Sequence, residues 1–86
     1  MVRKFLCPQD EVLTILMEEC GELVQACSKS IRRGEFNSIQ LSDEIGDVMT
    51  LINIAHEYDM FSWDDVLERE EVKREKLKTW SNLICE

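Results

Sequence analysis

Apolar residues along this 86-residue chain recur at spacings of three and four, and no segment sustains the strict alternation that a half-buried strand requires. Val12, Leu13, Leu16, Leu23, Val24, Cys27 and Ile31 mark out a first helix. It opens near Pro8, whose missing N–H would be unpaired in a first turn in any case, and Gln9, Asp10 and Glu11 follow, where acids oppose the positive helix end. Arg32 and Arg33 close it and Gly34 stops it. A polar stretch from Gly34 to Ser38 leads to a second helix, capped by Ser38 or Ser42, which carries Ile45, Val48, Met49, Ile52 and Ala55 to about Tyr58. After a turn at Asp59 to Phe61, Ser62-Trp63-Asp64-Asp65 reads as a capping box. The third helix then runs from Trp63 through Val66, Leu67, Glu70, Arg74 and Leu77 to about Trp80.

The expected fold is therefore all-α, an antiparallel helical hairpin plus a third helix in one domain over residues 1–86. Three short helices bury a limited core, and a domain this small is marginal alone. The apolar positions of the first helix span more than half its circumference, wider than one neighbouring helix can cover. Such hairpins are expected to assemble into an oligomeric helical bundle, a homodimer or homotetramer.

Composition removes alternatives. Three Gly and one Pro are too few for a turn-rich β-sandwich. With 10 Lys and Arg against 18 Asp and Glu, the net charge of −8 disfavours a nucleic-acid polymer, whose phosphates need cationic partners. No stretch approaches the ~18 apolar residues that span a bilayer, and the start of the chain lacks a signal-peptide core, so a cytoplasmic protein with no membrane partner is expected. Cys7, Cys20, Cys27 and Cys85 form no C-x-x-C pair, which excludes a zinc knuckle or thioredoxin-type motif. On a helix Cys20 and Cys27 lie about 10 Å apart, beyond disulfide reach, so all four are expected as reduced thiols, mostly in the core.

The acids divide into two kinds. Glu68, Glu70, Glu71 and Glu75 alternate with Arg69, Lys73, Arg74 and Lys76, an ordinary solvated, ion-paired helix face. Others intrude on apolar stripes. At about 100° per residue, Glu19 and Glu22 fall at the margin of the first helix's apolar face, and Glu44 falls inside that of the second, with Asp47 between Leu51 and Ile54. A carboxylate so placed must be protonated, paired or bound to a cation. No Lys or Arg occurs between Arg33 and Arg69 to pair with it. Glu19 and Glu22 are spaced i,i+3, as are Glu44 and Asp47, so an antiparallel hairpin would set one pair against the other. Oxygen ligands without nearby His or Cys suit Mg²⁺, with Mn²⁺ a substitute, rather than zinc. A ferritin-like di-iron site needs Glu-x-x-His pairs, and the one histidine, His56, is not so placed; it is expected in the core or at an interface. Charge pattern alone leaves open a plain helical bundle whose acids line a wet groove.

The same residues form a pattern. Glu18-Glu19-Cys20-Gly21-Glu22-Leu23, then 21 residues between Glu22 and Glu44, then Glu44-Ile45-Gly46-Asp47-Val48, resembles the E-E-x-x-E … E-x-x-D signature of MazG-like nucleotide pyrophosphohydrolases, members of the all-α NTP pyrophosphatase superfamily. The resemblance covers roughly residues 9–58 well and the third helix loosely. It implies cleavage of a nucleoside triphosphate, (d)NTP and water giving (d)NMP and pyrophosphate, in nucleotide-pool control or house-cleaning. It also implies that Glu19, Glu22, Glu44 and Asp47 hold Mg²⁺, while Glu18 binds a further metal or helps to activate water, so that Glu18 and Glu19 are the catalytic acids. Phosphates also call for cations: Lys29 shares a helix stripe with Glu18 and Glu22, and Lys73 and Lys76 are further candidates, with Asn53, Trp63 and Trp80 as base contacts. The competing reading is a non-catalytic acidic helical oligomer that binds a divalent cation or a basic protein partner.

Overall fold

A computed structural model describes residues 4, 5 and 7–84. Three helices account for nearly all of it: α1 (Pro8–Arg33), α2 (Ser38–Glu57) and α3 (Trp63–Trp80). No strand occurs among the described residues. The all-α expectation holds, and the helix ends fall within a residue or two of where the sequence puts them, with α2 starting at the earlier of its two candidate positions, Ser38 rather than Ser42.

The ends show why. Pro8 occupies the first turn of α1 with Asp10 and Glu11 behind it, and Arg32 and Arg33 fill its last turn. Gly34 then takes a left-handed conformation (φ 72°, ψ 15°) and donates its N–H to the Ile31 carbonyl. The cap of α2 corrects the sequence reading: it is Asn37, not Ser38 or Ser42. The Asn37 side chain accepts the Gln40 N–H at 3.0 Å, and the Ser42 hydroxyl instead donates back to the Ser38 carbonyl inside the helix. At the far end of α2, Asp59 is left-handed (φ 56°), its N–H reaches the His56 carbonyl at 2.9 Å and the Met60 N–H reaches Ala55 at 3.1 Å. These two bonds form a Schellman closure built on Asp rather than Gly. Ser62 caps α3 through the Asp65 N–H at 3.4 Å.

α1 and α2 pack as the expected antiparallel hairpin. Val12 and Ala26 of α1 and Ala55 of α2 are the buried apolar residues, joined by half-buried Leu16, Leu23, Leu41, Val48 and Leu51. On α1 the inward positions Val12, Leu16, Glu19, Leu23, Ala26 and Ser30 repeat at 4-3-4-3-4, the spacing of a straight packing seam. α3 contributes no buried residue. It meets the hairpin at its own start, where Phe61, Trp63 and Val66 border a cavity with Leu16, Met49, Ile52 and Ala55. Phe61 and Trp63 stack edge to face at 4.9 Å between centroids, and His56 leans on both at 5.5 and 5.6 Å. His56 is thus exposed at the rim of an aromatic cluster, not in the core.

The result is extended. The Cα radius of gyration is 15.9 Å, against about 12 Å for a compact domain of this length. The thiols follow suit: Cys7 is half-buried, while Cys20 and Cys27 are exposed, which corrects their expected place in the core. They lie on the side of α1 that none of the described residues covers. All three are free thiols. Cys85 falls outside the described residues.

Candidate metal centre

Glu19 projects from α1 into the seam with α2, where the periodicity would otherwise place a leucine, and it is half-buried there. Glu44 holds the matching position on α2 and is also half-buried; Asp47, one turn on, is exposed at the seam's edge. One carboxylate oxygen from each of these three side chains lies within 4.8 Å of the other two. The antiparallel hairpin produces that convergence, because helix rows facing each other bring i,i+3 pairs to a common level.

The electrostatics follow from the crowding. The Glu19 carboxyl is held above its ordinary range, first because partial burial disfavours its charge and then because Asp47, Glu44, Glu22 and Glu18 repel it. All four charges acting on it are acids. A cluster in this state needs a proton or a cation, and an Mg²⁺ ion at about 2.1 Å from its ligands sets opposite oxygens about 4.2 Å apart, close to the 4.8 Å limit here. The donor set fits a hard divalent ion.

Of the residues named from sequence, the structure brings Glu19, Glu44 and Asp47 together. Glu22 and Glu18 are exposed on the adjoining polar side of α1, near enough to act on Glu19 but outside the three-oxygen group. Lys29 is further along that side, at the hairpin tip, where it lines a cavity with Arg33, Asn37 and Gln40. Arg33 was not singled out from sequence, although its i,i+4 spacing from Lys29 is the signal that could have found it. Lys73 borders a separate cavity on α3 with Arg74 and Leu77, and Lys76 is exposed on the same helix. Asn53 is exposed and points about 120° around α2 from Asp47. Trp63 belongs to the aromatic cluster and Trp80 is exposed at the end of α3. One chain therefore assembles the carboxylates and leaves the other candidates dispersed.

No helix among the described residues is long and apolar enough to cross a membrane. No curated protein and no solved structure matches the chain significantly. The family model of the MazG nucleotide pyrophosphohydrolase domain matches residues 8–79, from the first turn of α1 almost to the end of α3. The match takes in the third helix as well as the hairpin, further than the signature acids alone reach. With Glu19 of that signature set against Glu44 and Asp47 across α1 and α2, the chain belongs to the MazG nucleotide pyrophosphohydrolase family.

Proposed function

We propose that the chain hydrolyses nucleoside triphosphates to monophosphate and pyrophosphate in a Mg²⁺-dependent reaction, within the cytoplasmic nucleotide pool. The observation that carries this reading is the convergence of Glu19, Glu44 and Asp47. An adaptor has no need to bring three acids together in a half-buried seam, where they repel one another.

Glu19, Glu44 and Asp47 would hold Mg²⁺ (or Mn²⁺), and Glu22, whose charge already acts on Glu19, would join them. The ion supplies Lewis-acid polarisation of the phosphoryl oxygens and offsets the charge of the triphosphate. Glu18, exposed beside the cluster, takes a proton from the attacking water. The water oxygen bonds to the α-phosphorus, the bond from that phosphorus to the α–β bridging oxygen breaks, and pyrophosphate leaves with the bridge. Lys29 lies about two helical turns beyond Glu22, towards the hairpin tip, and with Arg33 it offers the cations for the departing phosphates. Lys73 and Lys76 would join from α3, and Asn53 would contact the sugar or base, once a second subunit brings these surfaces to the cluster.

The test is incubation of the purified chain with each (d)NTP and Mg²⁺, with released pyrophosphate as the readout. Release from at least one nucleotide is expected, and it stops in Asp47→Asn and Glu44→Gln. No release from any nucleotide by folded protein would overturn the reading and leave an acidic bundle that binds cations or a basic partner.

A further inference from the structure

The polar side of the hairpin is graded along its length. Its cations are all at the tip: α1 has Lys29, Arg32 and Arg33 there, and α2 has no Lys or Arg at all. The carboxylates come midway. Because the helices run antiparallel, each step from Glu19 towards the start of α1 matches a step from Glu44 and Asp47 towards the end of α2. Ile15, four residues before Glu19, is therefore level with residues 48–51, and Glu11, eight before it, with residues 52–55. At about 100° per residue, Ile15 and Glu11 share the side of α1 that carries Glu18 and Glu22, and Ile54 and Tyr58 share the side of α2 that carries Asp47. Ile15 and Ile54 are half-buried, Glu11 is exposed and Tyr58 is 45% exposed. Side chains lean towards the start of their own helix, which brings the Tyr58 ring back along α2 and carries the Glu11 carboxylate out to meet its level. Beyond the carboxylates the row thus turns apolar, then aromatic, with one acid beside the ring.

We propose that this end of the row is the nucleoside subsite, with the sugar over Ile15, the base against Ile54 and the Tyr58 ring, and the Glu11 carboxylate selecting a base that carries an amino group. The inference rests on the hydrolysis proposed above and makes its substrate specific. Charge sets the direction. Pyrophosphate leaves as a dense anion, and the cations of the hairpin are at the tip, where Lys29 and Arg33 border one cavity. With the α-phosphorus at the carboxylates, the nucleoside is then directed the other way, towards the open end. The reverse placement would set phosphates against Glu11 and a base among the cations. Length agrees: Glu11 is about 12 Å along the axis from Glu19, the span of a nucleoside. Chemistry sets the choice of base. A carboxylate only accepts hydrogen bonds, so it pairs with the amino group of cytosine and repels the carbonyl oxygen that uracil carries in the same place. Tyr58 offers a ring face on which any base can stack, so it contributes affinity without choice. Asp10 and Glu11 both occupy the first turn of α1, where either acid favours the helix end. Asp10 lies about 100° round from Glu11 and away from α2, so the charge at the helix end and the acid on the row can be varied separately.

Cytosine and uracil have the same size, so that pair isolates the Glu11 contact. Binding of the non-hydrolysable α,β-imido forms of dCTP and dUTP to the full chain is measured by calorimetry in Mg²⁺, with pyrophosphate release from dCTP and dUTP alongside. The dCTP analogue is expected to bind about 10-fold or more tighter than the dUTP analogue. Glu11→Gln, whose amide can face either base, should bring the two affinities together. Asp10→Asn makes the same charge change at the same helix end and should leave the parent's preference intact. Tyr58→Ala should weaken both analogues about 10-fold, and Tyr58→Phe, which keeps the ring, should bind them as the parent does. Circular dichroism checks that each variant retains the parent's helix content. A preference for the dUTP analogue, or one that Glu11→Gln leaves in place, overturns the choice of base. Affinity unchanged in Tyr58→Ala and lost in Phe36→Ala puts the base at the tip and overturns the direction. The expected binding pattern without pyrophosphate release would remove the hydrolysis and keep the subsite, whereas release with no preference between the bases would do the reverse.

Discussion

Two stripes of α1, one residue apart in register, have opposite fates. The inward stripe is covered by α2 and yet contains Glu19, a charge in the middle of its packing. The outward stripe, Leu13, Met17, Cys20, Val24, Cys27 and Ile31, has no charged residue and yet lies open to water. Stability considered for one chain alone would have arranged them the other way round. The inward stripe gives up packing to bring Glu19 to Glu44 and Asp47, and the outward stripe supplies apolar surface that the described residues leave uncovered. Repulsion at Glu19 is tolerable if burial elsewhere compensates, and the outward stripe is the place where burial remains available.

The largest effect should come from the inward stripe's neighbours. Asp47→Asn keeps the shape and removes the charge, and even an outer partner of a metal ligand is worth up to about 100-fold. A loss of at least that size in kcat/KM for pyrophosphate release is expected, with the helix content unchanged. A fully active Asp47→Asn would detach the carboxylate group from the activity.

Leu23 and Val24 test the contrast directly, since they are consecutive residues on different stripes. Leu23→Glu puts a charge between α1 and α2 and should reduce helix content at every protein concentration. Val24→Glu puts it on the outward stripe, and a dimer that must bury two new carboxylates should need about 100-fold or more protein to form. The measurement is sedimentation of each variant across a dilution series, with circular dichroism alongside. Equal behaviour of the two variants would erase the distinction between the stripes.

Much of this was legible before the structure. Pro8, Gly34 and Ser62 mark helix ends by local chemistry, and local chemistry survives folding unchanged. Glu44 and Asp47 were legible as acids within an apolar face; Glu19 was placed at a margin with Glu22, and angles on one helix could not say that Glu19 alone of the two turns into the seam. The cap of α2 was missed since Asn37, Ser38 and Ser42 all have capping side chains, and the choice depends on where the loop leaves Gly34. Cys20 and Cys27 were misplaced for a different reason. Periodicity identifies an apolar row without saying whether the same chain or another one covers it. Lys73 and Lys76 illustrate the same limit, since the position of α3 depends on contacts that the described residues supply only at its N-terminal end.

Glu19→Gln should separate stability from activity. Its carboxyl has a raised pKa in the fold, so the folded chain binds that proton more tightly than the unfolded chain does. The charged form therefore destabilises the metal-free fold, fully above the raised pKa and no longer once the pH has fallen below the ordinary value of 4.5. Without metal, Glu19→Gln should melt higher than the parent at neutral pH, and the gap should close as the pH is lowered through that window. Its activity should fall along with that of Asp47→Asn. Thermal scans in EDTA at several pH values provide the check, and a variant that melts lower at neutral pH would mean that the inward stripe holds Glu19 without repulsion.

The smallest effect is expected where neither stripe is involved, at the two turns that end α1 and α2. Both need a left-handed residue, and one has Gly34 (φ 72°) while the other has Asp59 (φ 56°). A Cβ at Gly34 would meet no atom within 4 Å, so Gly34→Ala tests backbone conformation alone. The cost should be about 1 kcal/mol, the usual penalty for a left-handed non-glycine residue, or a few degrees in Tm for a domain of this length. Asp59→Gly relieves the same penalty but loosens the unfolded chain, so its gain should be smaller than the Gly34→Ala loss. Both changes should leave the sedimentation mass and pyrophosphate release unaltered, because the hairpin tip and the Schellman turn orient the stripes without belonging to either. If Gly34→Ala changed the mass of the assembly instead, the hairpin tip would be part of the contact between copies, and the outward stripe would extend past Ile31.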